Sequence, residues 1–216
     1  TRKNRTWPLM DKDAAKNRGL NVKNSELLDI PFADRYAPLV MVGKCRHHGQ
    51  FFKAPDVRDL QNIDAAASQA SRLTFPGKNG FKVPQGPKSS DLIARGVTNF
   101  FELFSHRQIL YLTEAKRCIE EAAPEHRLWL ALLVSTSLEF TSMLCGYKGV
   151  DQRRPGAIRH VFSHHAYSFP CTALENNPVF KAKTSGTLRN LFEKRILKAG
   201  IWALAPVERR WSEARW

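Results

Sequence analysis

Glu125-His-Arg-Leu-Trp-Leu-Ala-Leu-Leu-Val-Ser-Thr-Ser-Leu-Glu-Phe-Thr-Ser-Met-Leu-Cys145 is apolar on nearly every side when wound at 3.6 residues per turn. A helix of that kind is normally buried at the centre of a domain. Pro124 suits its first turn, because proline's missing N–H is one that no helix start bonds internally. Gly146 is placed to stop it. Upstream, Ser105 is a helix cap followed by Ile109, Leu112, Ile119 and Ala122, which fall close to helical spacing. Asp91 is read as the cap of a shorter helix running towards Phe101. Downstream, Gly149, Pro155, Gly156, Pro170 and Pro178 break up residues 148–180, and two last helices are expected over 187–198 and 206–215.

The N-terminal third reads differently. Residues 1–35 mix charge with Pro8, Gly19 and Pro31, with one short helix expected over 11–18. Ala37-Pro-Leu-Val-Met-Val-Gly-Lys-Cys45 and Gln50-Phe-Phe-Lys53 have strand character and flank the turn Arg46-His-His-Gly49, so a small β-hairpin is expected. Asp56 after Pro55 caps a helix towards Ser71. Residues 74–90 are dense in Gly and Pro and read as a linker. The fold class is therefore α+β, mainly α. A hairpin-containing N-terminal region (1–73) is joined by the linker (74–90) to a helical C-terminal domain (91–216).

The 216 residues carry 34 Lys and Arg against 20 Asp and Glu, a net charge of +14. Such an excess favours a polyanionic partner, nucleic acid first. From Gly146 to Lys198 there are ten basic and three acidic residues, half of the excess in about a quarter of the chain. Within it, Lys148-Gly-Val-Asp-Gln-Arg-Arg-Pro-Gly-Ala-Ile-Arg-His-Val-Phe-Ser-His-His-Ala-Tyr167 interleaves cations with aromatic rings. Arginines hold phosphates or read guanine edges, and rings stack on exposed bases. Lys148, Arg153, Arg154, Arg159, His160, His164 and His165 are the candidate DNA contacts in this stretch. A solvated basic loop whose aromatics anchor it to the helices is the plainer alternative.

Cys45, Cys118, Cys145 and Cys171 have no disulfide-framework spacing, there is no signal peptide, and no apolar run is long enough to span a bilayer. A reducing, cytoplasmic setting without a membrane partner is expected. Cys45-Arg-His-His48 resembles one half of a zinc ribbon, with Cys45 and His48 as ligands, but zinc needs two more and no second pair is visible. Cys171 would contribute only if the fold brought it close. A hairpin that keeps the ribbon shape without metal is the competing reading. No phosphate-binding loop and no dinucleotide turn is present, and strands do not alternate with helices, so no self-sufficient S-adenosylmethionine or dinucleotide domain is expected. The histidine cluster lacks the spacing of a metal-dependent nuclease. Asn176-Asn177-Pro178-Val179-Phe180 is faintly like an amino-methyltransferase tetrapeptide but has one proline where that motif has two, and reads as a turn.

Several segments resemble large bacterial and archaeal DNA methylases. Gly96-Val-Thr-Asn-Phe-Phe-Glu-Leu-Phe-Ser-His-Arg-Gln-Ile-Leu-Tyr-Leu112 is similar to their "G…(Y/F)…LFTPRQLL.L" segment, and Phe81-Lys-Val-Pro-Gln-Gly-Pro-Lys-Ser-Ser-Asp-Leu92 to the stretch leading into it. Residues 128–145 match the helix that ends near "N..LC", 158–166 resemble "(I/V)R..F.R.A", and Glu175-Asn-Asn-Pro178 resembles "E.NPF". Order and spacing agree over about residues 81–180. The family has its cofactor and catalytic motifs outside this region. The resemblance implies a non-catalytic, DNA-facing segment of an S-adenosylmethionine-dependent DNA methyltransferase, of the kind found in restriction or phage defence, inactive without the rest of the methyltransferase polypeptide. It adds Arg107 as a candidate DNA contact or helix cap. Ser105-His106 stands where the family has Thr-Pro, which keeps the cap and loses proline's fixed dihedral. The start at Thr1 is read as the mark of an excised segment. A stand-alone nucleic-acid-binding or defence-complex adaptor is the alternative function.

Overall fold

The computed structural model describes residues 30–73, 81–147, 158–161, 167, 169–170, 173–181 and 184–206. It is mainly helical with a small two-stranded antiparallel hairpin. The hairpin joins β1 (Met41–Cys45) to β2 (Gly49–Lys53), with Val42 opposite Phe52 and Cys45 opposite Gly49. Gly49 has φ +73°, a left-handed conformation that closes the turn and that a side chain would resist. Phe51 lies across Gly43, where a Cβ would come within 2.3 Å of its ring. That glycine is what lets the ring fold down onto its own hairpin.

Helix α1 (Val57–Ala70) starts on a capping box, as expected from Asp56: the Asp56 carboxylate accepts from the Asp59 amide at 2.9 Å, and Asp59 returns the bond to the Asp56 amide at 3.1 Å. Lys53, at the end of β2, reaches both carboxylates, and it holds the Asp56 carboxyl down at about 2. The hairpin and α1 are thus pinned at one corner.

Helix α2 (Ser90–Ala94) is capped at Ser89 rather than at Asp91, which lies inside its first turn, and it stops at Ala94 instead of running on to Phe101. Gly96 (φ +74°) turns the chain, and a 3-10 turn at Phe100–Leu103 follows, capped by Asn99 and Glu102. Helix α3 (His106–Glu121) begins on Ser105, with Gln108 completing a third capping box. It packs along α1 on one side and along α4 (Pro124–Ser137) on the other.

The apolar stretch that promised one long buried helix gives something else. α4 opens at Pro124 but ends at Ser137, and residues 138–145 fold as successive turns. Leu133 and Ser137 are buried while Leu128, Trp129 and Leu132 are exposed. The turns carry the deepest burial: Phe140, Thr141, Ser142, Met143, Leu144 and Cys145 are all inside. Local polarity explains the break. Ser142 and Met143 bond the Leu103 carbonyl from hydroxyl and amide, a long-range tie that a continued helix would forbid. Gly146 enters a short strand β3 (Gly146–Tyr147), paired antiparallel with β4 (Ile158–Arg159).

The main core gathers Phe32, Val83, Leu92, Val97, Leu103, Met143 and Leu144. Phe32 comes from before the hairpin and Val83 from the Gly/Pro-rich stretch expected to be a linker. Val83 bonds the Thr98 carbonyl at 2.8 Å, so residues 81–89 are a packed edge of the core rather than a spacer. Residues 74–80 and the helix expected at 11–18 lie outside the described residues. A second core joins Leu133 and Phe140 to Leu191 and Ile196. These last two belong to a helical run made of α5 (Leu188–Leu191), a π turn (Phe192–Ile196) and α6 (Leu197–Leu204). Gly200 lies against Trp129 of α4. This run continues past the expected end at Lys198, and the second helix expected near the C-terminus lies outside the described residues from 207 on.

Candidate nucleic-acid interface

Arginine is used inside the fold as much as on its surface. Arg35 and Arg95 are both buried. Arg35 donates to the carbonyls of Ile30 and Arg95, and the Arg95 guanidinium stacks over the Phe169 ring at 4.3 Å. Burial lowers the pKa of both.

Arg107, a candidate DNA contact, is committed elsewhere. Its Nε and Nη2 donate to the two carboxylate oxygens of Glu175, a fork-to-fork pair across 68 residues. The Ser105 hydroxyl donates to the same carboxylate. Glu175 raises the Arg107 pKa further and neutralises its charge. Arg107 is a brace rather than an open phosphate contact. The helix start at Ser105 and the segment beginning at Glu175 are locked together by it.

A second acidic hub forms at Glu139. Arg195, from the π turn, donates to one carboxylate oxygen, and His160 Nδ1 lies 3.2 Å from the other, off the line of a hydrogen bond. Phe140 sits between them, with its ring centroid 5.8 Å from that of His160 and 5.5 Å from the Arg195 guanidinium carbon. His160 therefore lies beside the acid that also holds Arg195. Arg159, in β4, pairs with Gly146 across the small sheet and is half-buried. Lys148, Arg153, Arg154, His164 and His165 lie outside the described residues, as does Cys171.

Just beyond lie residues that the sequence reading took only as a turn, Pro178 to Phe180, together with Lys181, Leu188 and Arg189, which it did not name as site residues. Pro178, Val179, Phe180, Lys181, Leu188 and Arg189 line a shallow open groove. The expected turn forms next to it: the Asn177 side-chain oxygen accepts from the Val179 amide, while Asn176 donates to the Gly186 carbonyl at 2.9 Å. Gly186 has φ +83°, and a Cβ there would stand 2.8 Å from that of Phe140. Phe180 and Lys181 are exposed on one rim. Lys194 and Lys198 are exposed on the helical run that leads away from the other, and neither they nor Lys181 pairs with an acid among the described residues. The signal available in advance was the run of cations after Pro178 next to an aromatic residue.

The other candidate set, Cys45 and His48, lies at the tip of the hairpin. The thiol is 3.5 Å from His48 Nδ1. The amides of His47 and His48 point at the sulfur and hold the thiol pKa below its usual value. Among the described residues no three His, Cys, Asp or Glu side chains cluster as a metal-binding group, and none of Cys45, Cys118 and Cys145 is in a disulfide. No helix among the described residues is long and apolar enough to cross a membrane.

No protein-family model, curated protein or solved structure matches the chain.

Proposed function

We propose that this chain is a non-catalytic, DNA-facing segment of an S-adenosylmethionine-dependent DNA methyltransferase system. The observation that carries its DNA-facing part is the separation of its cations. Arg35, Arg95 and Arg107 serve the interior, whereas Lys181 stays open to solvent on the rim of a groove with an exposed aromatic ring, and Lys194 and Lys198 stay open on the helical run that leads away from it. Unpaired cations next to a stacking surface suit a phosphate backbone with a base lying against Phe180. The methyltransferase part rests on the ordered resemblance over residues 81–180. The Glu175 brace supports it, because it joins two of the resembling segments into one unit. S-adenosylmethionine and the transfer chemistry would come from elsewhere in the system, and the phosphate contacts made here would position the duplex.

Fluorescence anisotropy with a labelled DNA duplex and single strand over a salt series tests this reading. Affinity should fall by at least tenfold between 50 and 200 mM salt, as expected on the order of several phosphate contacts. Lys181→Ala combined with Lys194→Ala should flatten the slope, while Arg107→Lys should leave it unchanged. A binding curve indifferent to salt removes the proposal.

A further inference from the structure

The two faces of the hairpin differ. Along β1, Val42 and Lys44 are exposed, while Met41 and Cys45 are half-buried. The register puts Phe52 opposite Val42 and Gln50 opposite Lys44. Side chains alternate along a strand and cross-strand partners share a face, so Val42, Lys44, Gln50 and Phe52 form one outer surface. Val42 is 45% exposed and Phe52 56%. Phe51 belongs to the other face, folded across its partner Gly43.

Charge on this element has one sign. From Tyr36 to Pro55 there is no Asp or Glu. The acids that follow on α1, Asp56 and Asp59, are both taken by Lys53. Lys44, on the outer face, and Arg46, in the turn, are exposed and pair with no acid among the described residues. That imbalance favours a polyanion over a protein surface. The outer face also matches the base edges of the major groove of B-DNA. There a lysine bonds guanine O6 and N7, a glutamine pairs with adenine N6 and N7, and apolar side chains meet the thymine methyl group. The groove is about 12 Å wide and admits a two-stranded ribbon, whose strands stand about 4.8 Å apart. The major groove of A-form RNA is deep and too narrow for side chains to read.

We infer that the hairpin is a ribbon that enters the major groove of duplex DNA, with Val42, Lys44, Gln50 and Phe52 towards the bases. Arg46 at the turn holds a phosphate at the groove edge. Lys53 stays with Asp56 and Asp59 and fixes the base of the ribbon to α1. At the other end the Cys45 thiol meets His48 Nδ1 at 3.5 Å and steadies the turn. The inference rests on the DNA-facing reading for its partner but uses a separate surface. The groove at Pro178–Arg189 accounts for phosphate binding, whereas the ribbon supplies a preference among base pairs.

Anisotropy titrations of the whole chain against labelled duplexes test it. Lys44→Ala combined with Arg46→Ala should weaken binding to duplex DNA at least tenfold, with an unchanged urea midpoint to show that the fold is intact. The wild-type chain should bind an RNA duplex of the same sequence at least tenfold more weakly than the DNA. Replacing every thymine by uracil removes the methyl groups and should weaken wild-type binding at least threefold. Phe52→Ser should bind the thymine and uracil duplexes alike. Full affinity in the Lys44→Ala, Arg46→Ala variant, equal binding of RNA and DNA duplexes, or a wild-type chain indifferent to uracil each overturns the ribbon. If affinity falls only in Lys181→Ala combined with Lys194→Ala, the ribbon fails while the groove reading stands. Absence of binding to any nucleic acid removes both.

Discussion

The hairpin and the main core show two ways of holding a chain in place. In the core, Leu92 and Val97 are wholly inaccessible, and some of the polar groups that enter with them have named long-range partners, Ser142 on the Leu103 carbonyl and Arg35 on the Arg95 carbonyl, while Arg95 Nε and the Thr141 hydroxyl have no hydrogen-bond partner among the described residues. In the hairpin no residue is buried, and order comes from five register pairs, one left-handed glycine and a lysine reaching two carboxylates of the next helix. The core is determined by what it excludes from water. The hairpin is determined by backbone pairing and leaves its side chains available.

The largest test of that contrast is a pair of truncations. Leu92→Ala should lower the unfolding free energy by about 3 kcal/mol, the usual cost of a cavity at a site that cannot collapse. Phe52→Ser should cost less than about 0.5 kcal/mol, as surface changes do. Urea denaturation measures both, and equal losses would erase the distinction. An intermediate effect is expected at the brace between the helix start at Ser105 and Glu175. Glu175→Gln keeps the shape but removes the charge that Arg107 and Ser105 share, and should cost about 2 kcal/mol, in the range for hydrogen bonds to charged groups. Arg107→Ala should cost no more than Glu175→Gln, and the double variant less than the sum, because the residues act as one unit.

The smallest effect is chemical. Burial raises the Cys145 thiol to about 11, whereas the backbone amides lower that of Cys45. Thiolate is the reactive form, so at pH 8 iodoacetamide should label Cys45 first and leave Cys145 unmodified until the protein unfolds. Mass spectrometry of timed digests checks the order. Labelling of both at one rate would mean that the core does not exclude solvent as described.

What the sequence made legible was local. Asp56 and Ser105 are caps because their oxygens reach amides three residues on, and Asp59 and Gln108 return the bond. Pro124 opens its helix, and Cys45 and His48 come together because a four-residue turn leaves them little choice. What stayed hidden was set by distant partners. A helical wheel cannot show that residues 138–145 gain more from the Leu103 carbonyl than from a helical ladder, so the long buried helix became a shorter half-exposed one followed by buried turns. Arg107 looked available until Glu175, 68 residues away, closed on it. Val83 looked like linker because Gly and Pro signal turns without telling whether a turn packs.

The π turn at Phe192–Ile196 has a consequence for how this chain tolerates changes in length. A π turn accommodates one residue more than an α-helix needs, so the flanking turns keep the faces they would have had without it. Deleting one residue there should restore a regular helix and leave Gly200 seated against Trp129. The same deletion within Leu197–Leu204 would swing every later side chain by about 100°. In this helix, length is adjustable at one place, and it lies between the buried half that faces Leu133 and the exposed half that carries Lys198.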